Sequence, residues 1–386
     1  MTPRCAVPAL LLAIGALLPA LEDEPAKALN AEVHGFVSFG HLRSWTNDWM
    51  VPTLDGTNEF WEAAGNVILR PMDRLRLGAQ VFARDFGTYD NGRVELDWAY
   101  ADWRQNDAVG VQIGRVKWPF GLFNESLDVD SARVQVFLSP SVYALRTRDL
   151  WESIDGGKAY GSVDLNGPGT LDYALFIGHH HFSHRGGTSQ YFVDRGLGDR
   201  VRLEERSTTG GMLHWETPFD GLGFRVTHAV TQGLRITGAF DNGLTTETTF
   251  GPYSGTVLST IYETAPVTLA AEYCRFHGTG ETVIKPLGLH QDVQDNSDGC
   301  YASATWHLMP WLEFYGALEH QYGDTIRREG PRLTTRVLAV QVLPLRNWSM
   351  KAELRDNLGT LTANAPANGS LEDHWQVLAL KTTVDF

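Results

Sequence analysis

The sequence is poor in two features, and each scarcity excludes a class of protein. After the N-terminal region, no apolar run approaches the roughly 18 residues that a membrane-spanning helix needs, which excludes a helical membrane protein. Lys and Arg (32 residues) are outnumbered by Asp and Glu (46 residues), and the resulting net charge of −14 argues against nucleic-acid binding.

The residues that are abundant favour β-structure. Of the 386 residues, 39 are glycine and 11% are aromatic, including 12 tryptophans, a mixture typical of strands joined by many turns. Hydrophobic residues make up 43% of the chain, which excludes a disordered polymer.

The N-terminus predicts a secretory signal. One arginine precedes the short apolar run Ala6–Leu21, and the small-residue pattern Ala26-Lys27-Ala28 is the better of two candidate cleavage sites, the other being Leu18-Pro19-Ala20. We therefore predict a signal peptide over 1–28 and a mature domain over 29–386. The alternative for the apolar run is a helix in the core of the protein.

The mature chain repeats one hairpin unit. In each unit, two stretches of alternating apolar and polar residues are joined by a very short turn, as in ILRPMDRLRL and VLPLRNWSM. Long polar loops such as Gly178–Ser207 and His277–Gly299 separate the units. Short connections on one side and long ones on the other are typical of transmembrane barrels. We count about 16 strands; the ambiguous segment Gly233–Gly251 leaves 14 or 18 open.

The predicted strands are Glu32–Arg43, Glu59–Arg70, Arg74–Asp85, Val94–Arg104, Ala108–Lys117, Gly156–Leu165, Leu171–His179, Thr208–Glu216, Gly223–Thr231, Thr256–Glu263, Val267–Cys274, Cys300–Leu308, Leu312–Tyr322, Leu333–Leu343, Ser349–Arg355 and Trp375–Phe386.

The two faces of these strands differ, and the apolar face is predicted to contact lipid. In the third strand, Leu75, Leu77 and Val81 alternate with polar residues, and the same period assigns Trp98 and Tyr100 of the next strand to the apolar face. Many Trp residues lie near strand ends, as in the aromatic girdle of a membrane barrel. These are Trp61, Trp98, Trp215, Trp306, Trp348 and Trp375.

The chain ends in LALKTTVDF, whose apolar face carries Leu378, Leu380, Val384 and Phe386. In a barrel the last strand pairs with the first, so this end should be ordered. A terminal Phe after alternating apolar residues resembles the C-terminal signature by which bacterial outer-membrane barrels are recognised for assembly.

The stretch GRVKWPFGLFNESLDVDSARVQVFLSPSVY (Gly114–Tyr143) resembles a segment of Gram-negative outer-membrane porins, of the general and phosphate/sulfate-selective types. In that family the segment begins the third extracellular loop, which folds into the lumen and narrows the channel. The resemblance implies an all-β, antiparallel transmembrane barrel in the bacterial outer membrane, with residues 118–155 as constriction loop. Its apolar residues support an inward position independently, since an exposed loop is rarely so apolar.

Charges on this loop and the facing wall are candidate constriction residues. Acids on the loop opposite bases on the wall would create a transverse field that sets ion preference. The candidates are Glu125, Asp128, Asp130 and Arg133 on the loop, and Arg76, Arg84, Arg115 and Lys117 on the wall. The alternative is that these charges are solvated or paired.

We therefore predict a porin for passive diffusion of small hydrophilic solutes or ions, without enzymatic activity, cofactor or metal. No GxSxG elbow, P-loop or dinucleotide motif occurs, and the histidines of HHHFSH point alternately to opposite sides of a strand. The alternative is a barrel with a structural or adhesive role, or a barrel hydrolase. Expected partners are outer-membrane lipid and lipopolysaccharide, the barrel-assembly machinery and, from the resemblance, two further copies in a homotrimer.

Cys274 and Cys300 remain after removal of the signal, in an oxidising compartment, and lie at the two ends of one long loop. We predict a disulfide between them, with two free thiols as the alternative. The alternation of the two strands opposes the bond, because it turns Cys274 inward and Cys300 outward, so a bulge would be needed.

Overall fold

The computed structural model describes residues 30–323, 331–365 and 369–386. The predicted signal peptide, 1–28, lies outside the described residues. Sixteen strands pair antiparallel with their neighbours and form a closed barrel. In the described part of the chain, no helix is long and apolar enough to cross a membrane.

The barrel strands are β1 (Asn30–Trp45), β2 (Trp61–Met72), β3 (Leu75–Phe86), β4 (Tyr89–Asn106), β5 (Val109–Lys117), β6 (Ser153–Asp164), β7 (Thr170–His179), β8 (Ser207–Glu216), β9 (Leu222–Gln232), β10 (Tyr253–Thr264), β11 (Val267–Lys285), β12 (Asp298–Met309), β13 (Leu312–Tyr322), β14 (Arg332–Leu345), β15 (Trp348–Gly359) and β16 (His374–Asp385). Each of the sixteen predicted strands overlaps one of them, so the strand count and fold class are confirmed.

The last strand closes the barrel against the first. β16 pairs with β1 from Phe36↔Asp385 to Trp45↔Gln376. The backbone amides of Gly35 and Phe386 each donate to the other's carbonyl at 2.9 Å. The C-terminal residue is therefore held by the ladder and does not fray.

Period-two alternation determines which side chains face outward. In β16, Leu380 and Val384 are 40% and 44% exposed, whereas the intervening Lys381 and Thr383 are buried. Large apolar residues are exposed at outward positions of many other strands, among them Leu175, Leu213, Leu258, Leu318 and Leu338. The outer surface is thus an apolar belt suited to lipid.

One predicted face is wrong. In the β3–β4 ladder, Gln80 pairs with Trp98 and Val81 with Leu96, so Asp97 is an extra residue in a bulge. Beyond a bulge the alternation changes phase. Trp98 and Tyr100 consequently line the lumen, and their rings stack 5.2 Å apart.

The predicted tryptophan girdle is only partly realised. Trp215, Trp306 and Trp348 are exposed on the barrel, as expected. Trp375 is buried, and its indole nitrogen donates to the carbonyl of Gly359 at 2.8 Å.

The long connections build a second sheet at one end of the barrel. The ambiguous segment Gly233–Gly251 forms a hairpin of Arg235–Ala239 and Thr245–Phe250, beside the short strand Arg200–Glu204. β11 runs beyond the barrel to pair with this hairpin and with Leu289–Asp295. The segment is therefore part of a loop and adds no strand to the barrel. We call this the long-loop end, and the opposite one the short-turn end.

The predicted disulfide is absent, since both cysteines are free thiols. In the β11–β12 ladder, Cys300 is paired with Tyr273 and Cys274 with Gly299. Neighbouring positions of a ladder face opposite sides, and no bulge interrupts this register. The buried Cys274 thiol lies 3.3 Å from the carbonyl of Ser141, to which it donates.

Candidate functional site

The connection between β5 and β6 folds into the lumen, as predicted. It contains three short 3-10 turns, Asn124–Ser126, Asp130–Ala132 and Leu145–Leu150. Apolar side chains along it are buried, among them Trp118, Phe120, Val134, Val136, Phe137 and Leu138. We call residues 118–152 the inner loop. Three buried carboxylates fasten it to the wall.

The first anchor is Glu272 of β11. Its carboxylate accepts hydrogen bonds from the amide of Leu122 at 2.8 Å and the hydroxyl of Tyr143 at 2.6 Å, both on the inner loop. Burial and Glu272 raise the pKa of Tyr143 well above its usual value, so this phenol is a neutral donor. Gly121 permits the approach, because its φ of +62° would strain most other residues and a Cβ would lie 2.6 Å from the Glu272 carboxylate.

The second anchor is Asp130, on the inner loop itself. Its carboxylate receives Lys381 at 3.0 Å and the Thr383 hydroxyl at 2.7 Å from β16, and Lys351 of β15 lies 3.2 Å away. Burial opposes ionisation of Asp130, but Lys381 and Lys351 outweigh it and hold the pKa of this carboxyl well below its usual range. The loop is thus attached to the strand that closes the barrel.

The third anchor is Glu353 of β15. Its carboxylate accepts the backbone amides of Val136 at 2.7 Å and Phe137 at 3.1 Å. Arg355 donates to Glu353 at 2.9 Å and to Glu319 at 2.8 Å, so the cluster is fully paired. Such a buried network is costly to desolvate, and its benefit is a fixed loop position.

A further set of charges holds the inner loop against β3, β4 and β5. Asp128 accepts hydrogen bonds from Lys117, from Arg148 at 2.6 Å and from Gln80 at 2.9 Å. Burial raises the pKa of Asp128, but Lys117 and Arg148 dominate and place it well below its usual range. Asp97 lies within reach of the same bases, at 3.5 Å from Arg148.

The inner loop divides the lumen into two large cavities. The lower cavity, about 670 Å³, lies toward the short-turn end and includes Arg346 and Asn347. The upper cavity, about 590 Å³, lies toward the long-loop end and includes Leu361 and Thr362.

Between them lies a third space of only about 50 Å³, which we call the neck. Phe36 and Asp128 line both the neck and the lower cavity. Ala144, Leu145 and Trp151 line both the neck and the upper cavity. The neck has room for only a few water molecules.

All but one of the predicted constriction residues line either the neck or the lower cavity. Arg84, Asp128, Asp130 and Arg133 line the neck. Arg76, Lys117 and Glu125 line the lower cavity. Arg115 lines neither space: its guanidinium donates to Asp155 at 2.7 Å and to the carbonyl of Leu96.

Acids and bases do not segregate between loop and wall. The loop contributes Arg133 and Arg148 to the neck beside its two acids, and the wall contributes Glu62 as well as Arg84. Arg84 is itself bonded to Asp90 at 2.5 Å and to the carbonyl of Leu145 at 3.1 Å. The charges of the neck are therefore paired within short distances.

Several residues of the site were not among the candidates predicted from the sequence, namely Glu62, Glu272, Glu319, Glu353, Arg355, Lys351 and Lys381. The alternation itself was a usable sign, because a charged residue on the polar face of a strand points into the lumen. Its partner was not readable: Asp130 and Lys381 are 251 residues apart.

Comparisons with known proteins agree with the barrel fold described above. No protein-family model matches the chain, and no curated protein matches it. Among solved structures, Salmonella typhi OmpF in complex with daunomycin is 14% identical, with a TM-score of 0.58 over 92% of this chain and 97% of that one.

Two further structures are similar over most of the chain. An anion-selective porin from Comamonas acidovorans is 11% identical, with a TM-score of 0.57 over 93% of this chain and 100% of that one. The trimer form of OmpT, an outer membrane protein of Vibrio cholerae, is 12% identical, with a TM-score of 0.55 over 93% of this chain and 100% of that one. The resemblance to Gram-negative outer-membrane porins is thus confirmed at the level of the fold, which is that of a porin-like outer-membrane barrel.

Proposed function

We propose that the protein is a passive diffusion channel of the outer membrane. The observation that carries this proposal is the series of spaces through the barrel, in which two large cavities at opposite ends flank a neck formed by a firmly attached loop. Small hydrophilic solutes or ions would cross down their gradients. The protein would supply the width and the charge of the path, and no bond would be broken.

The neck would control permeation. Resistances in series are dominated by the narrowest part, and the neck has less than a tenth of the volume of either cavity. We therefore expect a small single-channel conductance and strong size exclusion. The paired charges at the neck favour weak ion selectivity there, so the charges of the lower cavity would contribute most of the ion preference.

Planar-bilayer recording tests the channel. The heat-modifiable, folded protein should produce discrete current steps in KCl. The alternative, a barrel with a structural, adhesive or hydrolytic role, predicts no steps from correctly folded protein. Absence of steps in repeated insertions of folded protein would overturn the channel proposal.

Glu125 is the predicted constriction acid that is easiest to test, because its side chain is 41% exposed and its charged partner is Lys158 at 2.6 Å. Glu125→Lys would place excess positive charge in the lower cavity beside Lys158. The reversal potential in a KCl gradient should shift toward anion preference. An exposed control, Glu281→Lys in the long-loop sheet, should leave it unchanged; equal reversal potentials for both variants would argue against a role for Glu125.

A homotrimer is part of the proposal, since one of the similar structures is a trimer form. The apolar belt offers surface for packing between copies as well as for lipid. Native mass spectrometry from detergent should give three chains per particle. A monomer that survives mild extraction would contradict this assembly.

A further inference from the structure

The upper cavity differs chemically from the rest of the lumen. Its walls are mainly aromatic and aliphatic, with side chains from the inner loop, from β10 and β11, and from the helix Gly187–Asp194. The aromatic members include Trp118, Trp151, Tyr191, Phe250, Tyr253 and Phe276. The lower cavity also has aromatic rings, those of Phe36, Trp98, Tyr100 and Phe386, but its other lining residues are mostly amides and charges such as Asn66, Gln80, Gln112, Lys117 and Lys158.

The aromatic rings form a continuous surface. Phe276 lies 4.9 Å from Trp151 and 6.5 Å from Tyr253, measured between ring centroids, and its plane is nearly parallel to that of Tyr253. Such walls offer water few hydrogen bonds, whereas a flat apolar solute would bury its surface and stack on the rings. The volume, about 590 Å³, lies in the range of small-molecule sites.

Two arginines line the same cavity without a carboxylate partner among the described residues. The Arg146 guanidinium donates to the carbonyl of Thr362 at 3.0 Å and lies over the ring of Tyr89, at 5.7 Å. Arg195 lies over the ring of Tyr191, at 4.7 Å. Many other bases along the lumen are paired with acids, among them Lys117, Arg148, Lys158, Lys351, Arg355 and Lys381.

Three acids also line the upper cavity, but their oxygens already accept hydrogen bonds. Glu205 receives His180 and Thr208, and Asp295 receives the hydroxyl of Tyr253 at 2.7 Å. Asp298 accepts from Tyr273 at 3.2 Å. Carboxylates only accept hydrogen bonds, so among these charged groups the N–H donors available to a bound anion are those of the two guanidinium groups.

We propose that the upper cavity is a binding site for aromatic monocarboxylates, in which the ring stacks on the aromatic wall and the carboxylate is held by Arg146 and Arg195. Arginine suits a carboxylate because its fork of donors matches the two oxygens. The inference rests on the proposed channel function: such solutes would be concentrated above the neck before they pass it.

Binding is measured separately from conduction, in detergent micelles, with sodium benzoate as probe. Quenching of the cavity tryptophans, Trp49, Trp118 and Trp151, or isothermal titration calorimetry, gives the dissociation constant. Acetate carries the same charge without the ring, and benzylamine carries the ring with the opposite charge. Benzoate should bind at least tenfold more tightly than either.

Arg146→Gln/Arg195→Gln should weaken benzoate binding about tenfold, as expected for the loss of charge-assisted contacts. The matched control is Arg200→Gln/Arg202→Gln, which removes the same charge from two exposed arginines at the same end of the barrel. That control should bind benzoate as the unmodified protein does.

The outcomes separate the two proposals. Current steps in KCl without preferential benzoate binding, or equal affinity in both double variants, would refute the site and leave the channel intact. Benzoate binding of the expected pattern without current steps would retain the site and refute the channel. Benzylamine binding as tight as that of benzoate would show that the arginines do not select the charge, and would also refute the site.

Discussion

Removal of the Glu272 anchor should loosen the inner loop and widen the neck. Four groups donate to this carboxylate: Leu122 and Tyr143 from the loop, and Ser259 and Tyr301 from the wall, the last two at 2.6 and 2.7 Å. Glu272→Leu removes the acceptor while keeping similar volume. All four donors would then be buried without a partner unless water reaches them.

The size of the effect follows from the two loop donors. A hydrogen bond to a charged group contributes about 1.5–3 kcal/mol, so the loop loses about 3–6 kcal/mol of attachment at this wall. The anchors at Asp130 and Glu353 stay, so the loop should shift locally and not detach completely. Glu272→Gln keeps one acceptor oxygen, so the loss of loop attachment should be smaller in this variant than in Glu272→Leu.

Single-channel recording and limited proteolysis measure the shift. The conductance of Glu272→Leu should rise about twofold, with more current noise, because the neck limits the flow, and the inner loop should become sensitive to protease. Glu281→Gln, an exposed acid in the long-loop sheet, is the control. If folded Glu272→Leu keeps both the conductance and the protease resistance of the unmodified protein, the anchor has no such role.

Three other predictions follow. Deletion of Phe386 removes a backbone pair with Gly35 and should lower the amount of folded barrel in the outer membrane, whereas Phe386→Tyr should not; normal levels of the deletion would contradict the assembly role. Protease added to intact cells should cut the loops 178–207 and 277–299 and spare the turn 346–347; cleavage at that turn would reverse the orientation. Burial raises the pKa of Asp149 to about 6, above the value of about 4 for an unfolded chain, so its protonated form favours the folded state. The hydrogen bonds from Thr188 favour the ionised form and only reduce this shift, so the pH effect concerns the stability of the folded state and not that contact. The folded protein should therefore be more stable at pH 5 than at pH 7 as far as this group is concerned, measured by thermal unfolding at both pH values, and Asp149→Asn should remove this contribution.

The strands were predictable because they depend on a local pattern. Alternation of apolar and polar residues has the same period as the strand, so each barrel strand was found. Most ends were predicted within a few residues, but β11 continues well beyond its predicted end at Cys274, to Lys285 in the loop sheet. The pattern failed at Asp97, where a single extra residue changes the phase and turns Trp98 into the lumen. A bulge of one residue cannot be recognised from the amino-acid composition of the strand. The aromatic residues beyond it were therefore assigned to a lipid-facing girdle.

The cysteines show both the use and the limit of that pattern. The alternation correctly indicated that Cys274 and Cys300 face opposite sides, but the shared loop and the oxidising compartment favoured a bond. In the structure the register continues without a bulge through both residues, so the geometric objection is decisive. When alternation places two cysteines on opposite sides of a sheet, it is a better predictor of a missing disulfide than closeness in the chain is of a bond.

The inner loop was predictable from its apolar residues, but its attachment was not. Asp130 was expected to contribute to a transverse field across the pore. In the structure its carboxylate is bonded to Lys381 and Thr383 of the closing strand. These contacts join residues far apart in the chain, and only the closed barrel brings them together. Nor does the sequence show that the bases of the neck are paired with acids, since the distances depend on the path of the loop.

The anchoring charges explain how a long loop can set a pore size. Apolar packing alone tolerates small displacements, because it is non-directional, whereas a hydrogen bond weakens steeply when its angle or length changes. The anchor at Glu272 joins the loop to β11, whereas those at Asp130 and Glu353 join it to the neighbouring strands β15 and β16. A shift of the loop away from either part of the wall would therefore break at least one buried, charged contact and leave an unpaired group, at a cost of several kcal/mol. A neck of about 50 Å³ requires this rigidity, since a displacement of one ångström would change its width appreciably.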